Sequence, residues 1–273
     1  MIKSIATFVD DPAQSEPFLT MLAQRARQLS IDLSITLLAP APLIAAELAP
    51  FGSLFLPEAQ LRADASDAVA RIQAIVGRAD DTVRFSTIYG DVAWLARELR
   101  DTRDVVDQFV IGPASAWRIH WLRRRVIETL LMASGTPLLL LPNGHEIGPV
   151  RRATFGWLPS GEAVRAAHDL VAMADAGASI DVVTVGPRPG SDAGANARCA
   201  MADHFARHGF TACCHWIDDG REEDRQLQDF ALAANADLLA VGGFGHSRIR
   251  EIILGGVTAS LVADPTVPIL MSR

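Results

Sequence analysis

Short apolar runs alternate with longer amphipathic stretches along the whole chain. In the second half Arg152 to Trp157 reads as a strand, and Glu162 to Ala176 then places Val164, Ala167, Leu170, Val171 and Ala174 at helical spacing. Ile180 to Val185 and Thr211 to Ile217 read as further strands. The helix between them, Asn196 to Arg207, ends at His208 and Gly209, where glycine suits a C-terminal cap. A helix from Asp224 to Ala234 follows, then the buried strand DLLAVGG, a short helix and loop in SRIREIILGG, a helix in VTASLVAD and a closing strand in VPIL. Strands alternating with helices predict an α/β fold: a parallel sheet covered on both faces, with ligands placed beyond the carboxyl ends of the strands.

The pattern occurs twice. IATFVD (Ile5 to Asp10) matches RATFGW (Arg152 to Trp157), and SIDLSITLLAP (Ser30 to Pro40) matches SIDVVTVGP (Ser179 to Pro187), at offsets of 147 to 149. Further on, Gly90 matches Gly220 and DQFVIG matches ADLLAVG at an offset of 130, while TPLLLLP and TVPILMS sit near the two ends. The offset shrinks because the first half carries an extra segment between Pro40 and a helix beginning near Asp67. The expected organisation is therefore two tandem units of one architecture, 1–145 and 149–273, joined near Asn143 to Gly148. The chain length of 273 residues suits two such cores.

Composition narrows the functional classes. A formal net charge of −7 gives no field for gripping a polyanion, so nucleic acid is not an expected partner. No apolar run approaches the roughly 20 residues that span a bilayer, and the first residues lack the pattern of a signal peptide, so no membrane is expected either. Three cysteines, Cys199, Cys213 and Cys214, make no disulfide framework, which points to a reducing cytoplasm.

Glycine separates the halves. Six of the 20 glycines precede His145, whereas five fall between Gly242 and Gly256. A buried strand running into Gly242, Gly243 and Gly245 offers unencumbered backbone N–H groups, and Gly255 and Gly256 precede a helix start near Val257 that offers more; two such clusters could enclose a polyphosphate. Neither G-x-x-x-x-G-K-[ST] nor the dinucleotide fingerprint is present, since Arg248 stands at the third glycine place. Gly242, Gly245 and Gly255 instead fit G-x2-G-x9-G. That spacing, with the ADPTVPIL ending and the GGFGHSRIRE…LGGVT segment, resembles the universal stress protein family in its bacterial tandem form, over the whole chain.

The resemblance implies two domains, each a five-stranded parallel sheet with helices on both faces, pairing through their last strands, PLLLLP against VPILM. It implies ATP or ADP in the second domain, a role in the stress response, and no metal. By position, the phosphates and ribose would meet Val241, Gly242, Phe244, Gly245, Gly255, Gly256, Val257 and Thr258, and the base would rest near Gly156 and Val185. This chain departs from the family pattern twice. Leu158 stands where nucleotide-binding members end strand one with aspartate, and Gly256 stands where they have a serine or threonine. Losing a charged and a neutral hydrogen bond weakens binding by about 30-fold to 1000-fold. The first half keeps Asp10 but has IGPASAWRIHWLRRRV in place of the glycine loop, with Ser115 at its second glycine and Arg124 or Arg125 at its third.

Other features carry two readings each. The glycines serve tight turns or a ligand; Arg123, Arg124 and Arg125 form a solvated helix face or receive a phosphate; Trp117 and Trp121 pack or stack. His204, His208, Cys213 and His215 include metal-capable spacing but no C-x-x-C or H-E-x-x-H. His246 caps its loop or touches a phosphate. Apolar residues of the extra segment, from Leu43 to Leu56, cover the first half's cleft or simply pack. Ser160 and Ser247 lie near glycines but outside G-x-S-x-G, so no catalytic set is expected. The functional expectation is a nucleotide-sensing or partner-binding stress protein, with the halves paired internally and room for a homodimer. A slow ATP hydrolase, and a member that has lost nucleotide binding and acts by protein interaction alone, are the alternatives.

Overall fold

The computed structural model describes residues 2–40, 58–77, 82–90, 105–186, 193–243, 261–263 and 265–273. The first half runs β1 (Ser4–Val9), α1 (Pro12–Leu29), β2 (Asp32–Pro40), α2 (Glu58–Val76), β3 (Val83–Gly90), β4 (Gln108–Ile111), a 3-10 turn (Ala114–Ala116), α3 (His120–Ala133) and β5 (Leu138–Leu140). The second runs β6 (Arg152–Gly156), α4 (Gly161–Met173), β7 (Ser179–Val185), α5 (Ala193–Arg207), β8 (Thr211–Ile217), α6 (Glu223–Ala233), β9 (Leu238–Gly242) and β10 (Ile269–Ser272). The helix expected near Asp67 begins earlier, at Glu58; 41–57 lie outside the described residues.

Local chemistry sets the helix ends. Asp11 caps α1 by accepting the N–H groups of Ala13 and Gln14 at 2.9 and 3.1 Å, Pro12 occupies the first turn, and Ser30 closes the helix in the left-handed region at φ 53°. Ser160 caps α4 by accepting the Ala163 N–H at 3.1 Å, so this serine is a structural cap. α4 stops at Met173 rather than near Ala176. The chain turns extended at Ala174, which lets the Asp175 N–H reach the Val150 carbonyl at 2.9 Å.

All ten strands form one sheet in the order β3-β2-β1-β4-β5-β10-β9-β6-β7-β8. Pairing within each half is parallel, giving two five-stranded sheets of the same internal order, and β5 meets β10 antiparallel. At that seam Leu138, Leu139 and Leu140 stand opposite Met271, Leu270 and Ile269, and none of the six is more than 2% exposed. In the second half α4 and α5 cover one face and α6 the other: Phe205 of α5 packs on Phe155, while Leu227 of α6 lies over the adjacent Gly156. That is the arrangement right-handed crossovers give when the strand order reverses midway.

The duplication extends to hydrogen bonds. The Asp107 carboxylate accepts the N–H groups of Lys3 and Ser4 at 2.6 and 3.0 Å, and the Asp237 carboxylate accepts those of Arg151 and Arg152 at 2.8 and 2.9 Å. In each half this aspartate, just before the fourth strand, fixes the start of the first strand.

The arginine run of α3 divides. Arg124 and Arg125 are solvated and pair with Glu128, but Arg123 is buried, at 3% exposure, against the expectation of a wholly solvated run. Its Nε donates to the Gly112 carbonyl at 3.0 Å and its Nη1 crosses to the Val262 carbonyl of the second half at 2.5 Å. Trp117 and Trp121 divide similarly: Trp117 is core, whereas Trp121 is 56% exposed.

Arg123→Ala strips a charged donor from two carbonyls in different halves, and at about 1 to 3 kcal/mol for each buried group left unpaired it is expected to lower stability by roughly 3 kcal/mol, seen as a lower urea midpoint. Lysine at 123 rescues only part of this, having no planar fork. Asp107 is held below its usual value of 3.8 chiefly by the Lys3 N–H. Its stabilising contribution is therefore complete above that value and is lost as pH falls toward the lower folded value. Asp107→Asn is expected to flatten that part of an acid-unfolding profile.

Candidate functional site

From β6 the chain winds outward through β7 to β8, then returns to lay β9 and β10 on the other side of β6. The carboxyl ends of β6 and β9 thus bound a topological switch point, the place where open parallel sheets leave a crevice. Gly156 ends β6 in register with Val241 of β9, Gly242 ends β9, and Val185 ends β7, so these four expected site residues share one end of one sheet. Phe244, Gly245, Gly255, Gly256, Val257 and Thr258 lie outside the described residues, as do His246 and Ser247.

The described glycines have packing reasons of their own. A Cβ on Gly242 would stand 2.5 Å from the Ala163 nitrogen and 2.8 Å from the Glu162 carbonyl carbon, so α4 begins directly against bare backbone. A Cβ on Gly156 would stand 3.0 Å from Val241 and 3.2 Å from Leu227. Gly243 is not the free donor its sequence position suggests: its N–H is spent on the Ser272 carbonyl at 2.6 Å, because the parallel ladder of β9 and β10 continues one amide past their last pair, Gly242 and Ser272.

The matching end of the first half is closed from within. Asp10 follows β1, and its two carboxylate oxygens accept the N–H groups of Arg118 and Ile119, at 3.0 and 2.7 Å, just ahead of α3. Burial raises its pKa, and those two N–H bonds pull the other way. Ser15 donates to the Ala116 carbonyl at 2.7 Å, and Ser115 is engaged with Asn143. The N–H groups that could meet an anion are thereby occupied by an internal carboxylate. Counting on from the aspartate-fixed strand starts, Lys3 and Ser4 against Arg151 and Arg152, places Leu158 where the first half has Asp10. Leu158 is 59% exposed.

His215 does not join the other histidines. His204 stands against His168 and His208, with ring centres 5.5 and 4.7 Å apart, and burial followed by those two rings lowers its pKa. His215 lies on the opposite face of the sheet, beside Phe230 and 2.8 Å from Asp181, whose other oxygen accepts Arg152. Among the described residues no group of three or more His, Cys, Asp or Glu is arranged to hold a metal ion. Nor is any described helix long and apolar enough to cross a membrane. Asp224, in the first turn of α6, was not singled out by sequence. It is fully buried, and burial raises its pKa while the Arg225 N–H and its own N–H pull the other way. The acidic run Glu222-Glu223-Asp224 reads as an ordinary solvated helix start, which hides it.

Solved structures share this architecture. A universal stress protein from Archaeoglobus fulgidus DSM 4304 superposes with a TM-score of 0.68 at 14% identity, over 99% of this chain and 96% of that one. This is the universal stress protein fold. A putative universal stress protein from Pseudomonas aeruginosa UCBPP-PA14 superposes with a TM-score of 0.54 at 13% identity, covering 99% of this chain and 93% of its own. A functionally unknown protein from Pseudomonas aeruginosa PAO1 gives 0.53 at 12%, covering 99% and 92%. No family model and no curated protein matches the sequence. The universal stress protein fold is thus carried here by a sequence that has moved far from those it resembles in space.

If packing alone fixes glycine at 242, Gly242→Ala must push α4 away at about 1 to 3 kcal/mol, whereas Gly243→Ala, whose Cβ would meet nothing nearer than the Ser272 oxygen at 3.4 Å, is tolerated. Chemical denaturation of the two variants checks this; equal losses would contradict it.

Proposed function

We propose that this chain is a tandem member of the universal stress protein family, a cytoplasmic stress-response protein in which one half binds adenine nucleotide and the other is its structural partner. The observation that carries the reading is the asymmetry of the two switch points. In the first half the Asp10 carboxylate holds the N–H groups of Arg118 and Ile119. In the second half the exposed Leu158 stands at the matching place, so the end of the first strand supplies no carboxylate there. The domains are 1–145 and 149–273, the halves act as an internal pseudo-dimer across β5 and β10, and further association would be a homodimer. ATP or ADP is the ligand class, with its phosphates at the stretches Gly242 to Gly245 and Gly255 to Thr258. Exposed Cys213 and Cys214, neither of them in a disulfide, fit a reducing compartment. Regulation through nucleotide occupancy and protein contact fits better than catalysis, since no described nucleophile, base and acid converge.

Titration calorimetry with ATP on the intact protein is expected to give a weak isotherm that Gly245→Val abolishes, because a branched side chain would fill the place proposed for the phosphate. Ser115→Ala, in the closed half, is expected to leave it unchanged. Heat that survives Gly245→Val but is lost in a first-half variant would put the ligand in the wrong domain.

A further inference from the structure

Three of the chain's seven histidines meet on one face of the second half. His204, in the last turn of α5, stands one helical turn from His208 and across from His168 of α4, with ring centres 4.7 and 5.5 Å apart and the rings edge to face. Burial, then His208, His168 and Arg207, hold its pKa below the ordinary 6.5, so the titratable and charged groups that act on it are all basic. The acids of the two helices do not offset them. Asp169 of α4 is held by Arg165 at 3.1 Å, and Asp203, the residue before His204, is exposed. β7 and β8 also pack against α5. There Asp181 and His215 face α6, where His215 meets Phe230, so strand alternation turns Val182 and Cys214 toward α5, with Cys214 the titratable group among them. Among the described residues none of the three rings is bonded to a carboxylate.

We propose that His168, His204 and His208 form an acid-sensitive latch between α4 and α5, closed while the rings are neutral and released when they share positive charge. A proton on His204 meets the rings of His168 and His208 and the Arg207 guanidinium, with no carboxylate to offset them. The consequence reaches the core through the next residue. Phe205 has no exposed surface and packs edge to face on Phe155 at 5.3 Å, and Phe155 precedes Gly156 at the end of β6. Because the His204 pKa is lower in the folded chain than in the unfolded one, the latch contributes fully above about 6.5 and is lost as pH falls toward the folded value. The dipole at the end of α5 opposes release by favouring a cation, so the titration of His204 itself belongs to the test. The latch acts whether or not nucleotide binds.

The test follows the intact protein from about pH 8 to about pH 5 with EDTA present, by hydrogen exchange corrected for intrinsic rate and by NMR titration of the histidine ring protons. In wild type His204 is expected to titrate below a free histidine. Amides around Phe205 are expected to exchange faster at the acid end, by up to about tenfold, while those of Leu138 to Leu140 hold steady. His204→Gln is expected to remove most of that acceleration, His168→Gln, at an exposed position, part of it, and His145→Gln none. His204 titrating at or above a free histidine overturns the latch. So does an acid acceleration that persists in both His204→Gln and His168→Gln, or one that spreads equally to Leu138 to Leu140. If His204→Gln does not fold, His168→Gln decides alone, and an unchanged acid response in it overturns the proposal.

Discussion

The antiparallel pairing of β5 with β10 is the interaction on which the rest of the molecule depends. Each of these strands closes one five-stranded parallel sheet, and each would otherwise present an apolar edge of unpaired N–H and C=O groups. Pairing them satisfies both edges at once and makes one continuous sheet in which the six large side chains at the seam are buried. Arg123 reinforces the same boundary from one layer above, by linking the carbonyl of Gly112 in one half to that of Val262 in the other. The hydrophobic contact is indifferent to orientation, whereas the guanidinium fork is directional, so together they fix how the halves sit.

Duplicated architecture has not meant duplicated chemistry. Both halves use an aspartate ahead of the fourth strand to hold the start of the first, and both reverse strand order at the same place. At that place they diverge through one substitution. Asp10 bends back onto the backbone leading into α3 and fills a position an anion could take. Leu158 cannot, and it is left 59% exposed.

Much of this was legible in the sequence, and the reasons are physical. A buried parallel strand reads as a near-continuous apolar run, so Ile180 to Val185 agrees with β7 at almost every residue, and the run Thr211 to Ile217 matches β8 although that strand lies at the sheet edge and is largely exposed. The internal match made the repeated unit visible before any coordinate. What stayed hidden were properties of distance. Arg123 looks like Arg124 and Arg125 until the second half closes over it. Gly242 looks like a ligand-facing glycine until α4 is seen beginning against it. Asp224 looks like a helix-start acid because composition records its charge and not its burial. In each case the chain states the residue type, and only packing states which side of it meets water.

The seam has a further consequence for how the two copies could evolve. Two separate subunits pairing through the same strands would be held by mass action, and identical genes would force identical sites on both. Here the partner strand is tethered, so its effective concentration does not fall when the protein is diluted. The pairing is thus independent of expression level, and one copy is released from any need to bind ligand, provided that it still presents Leu138 to Leu140.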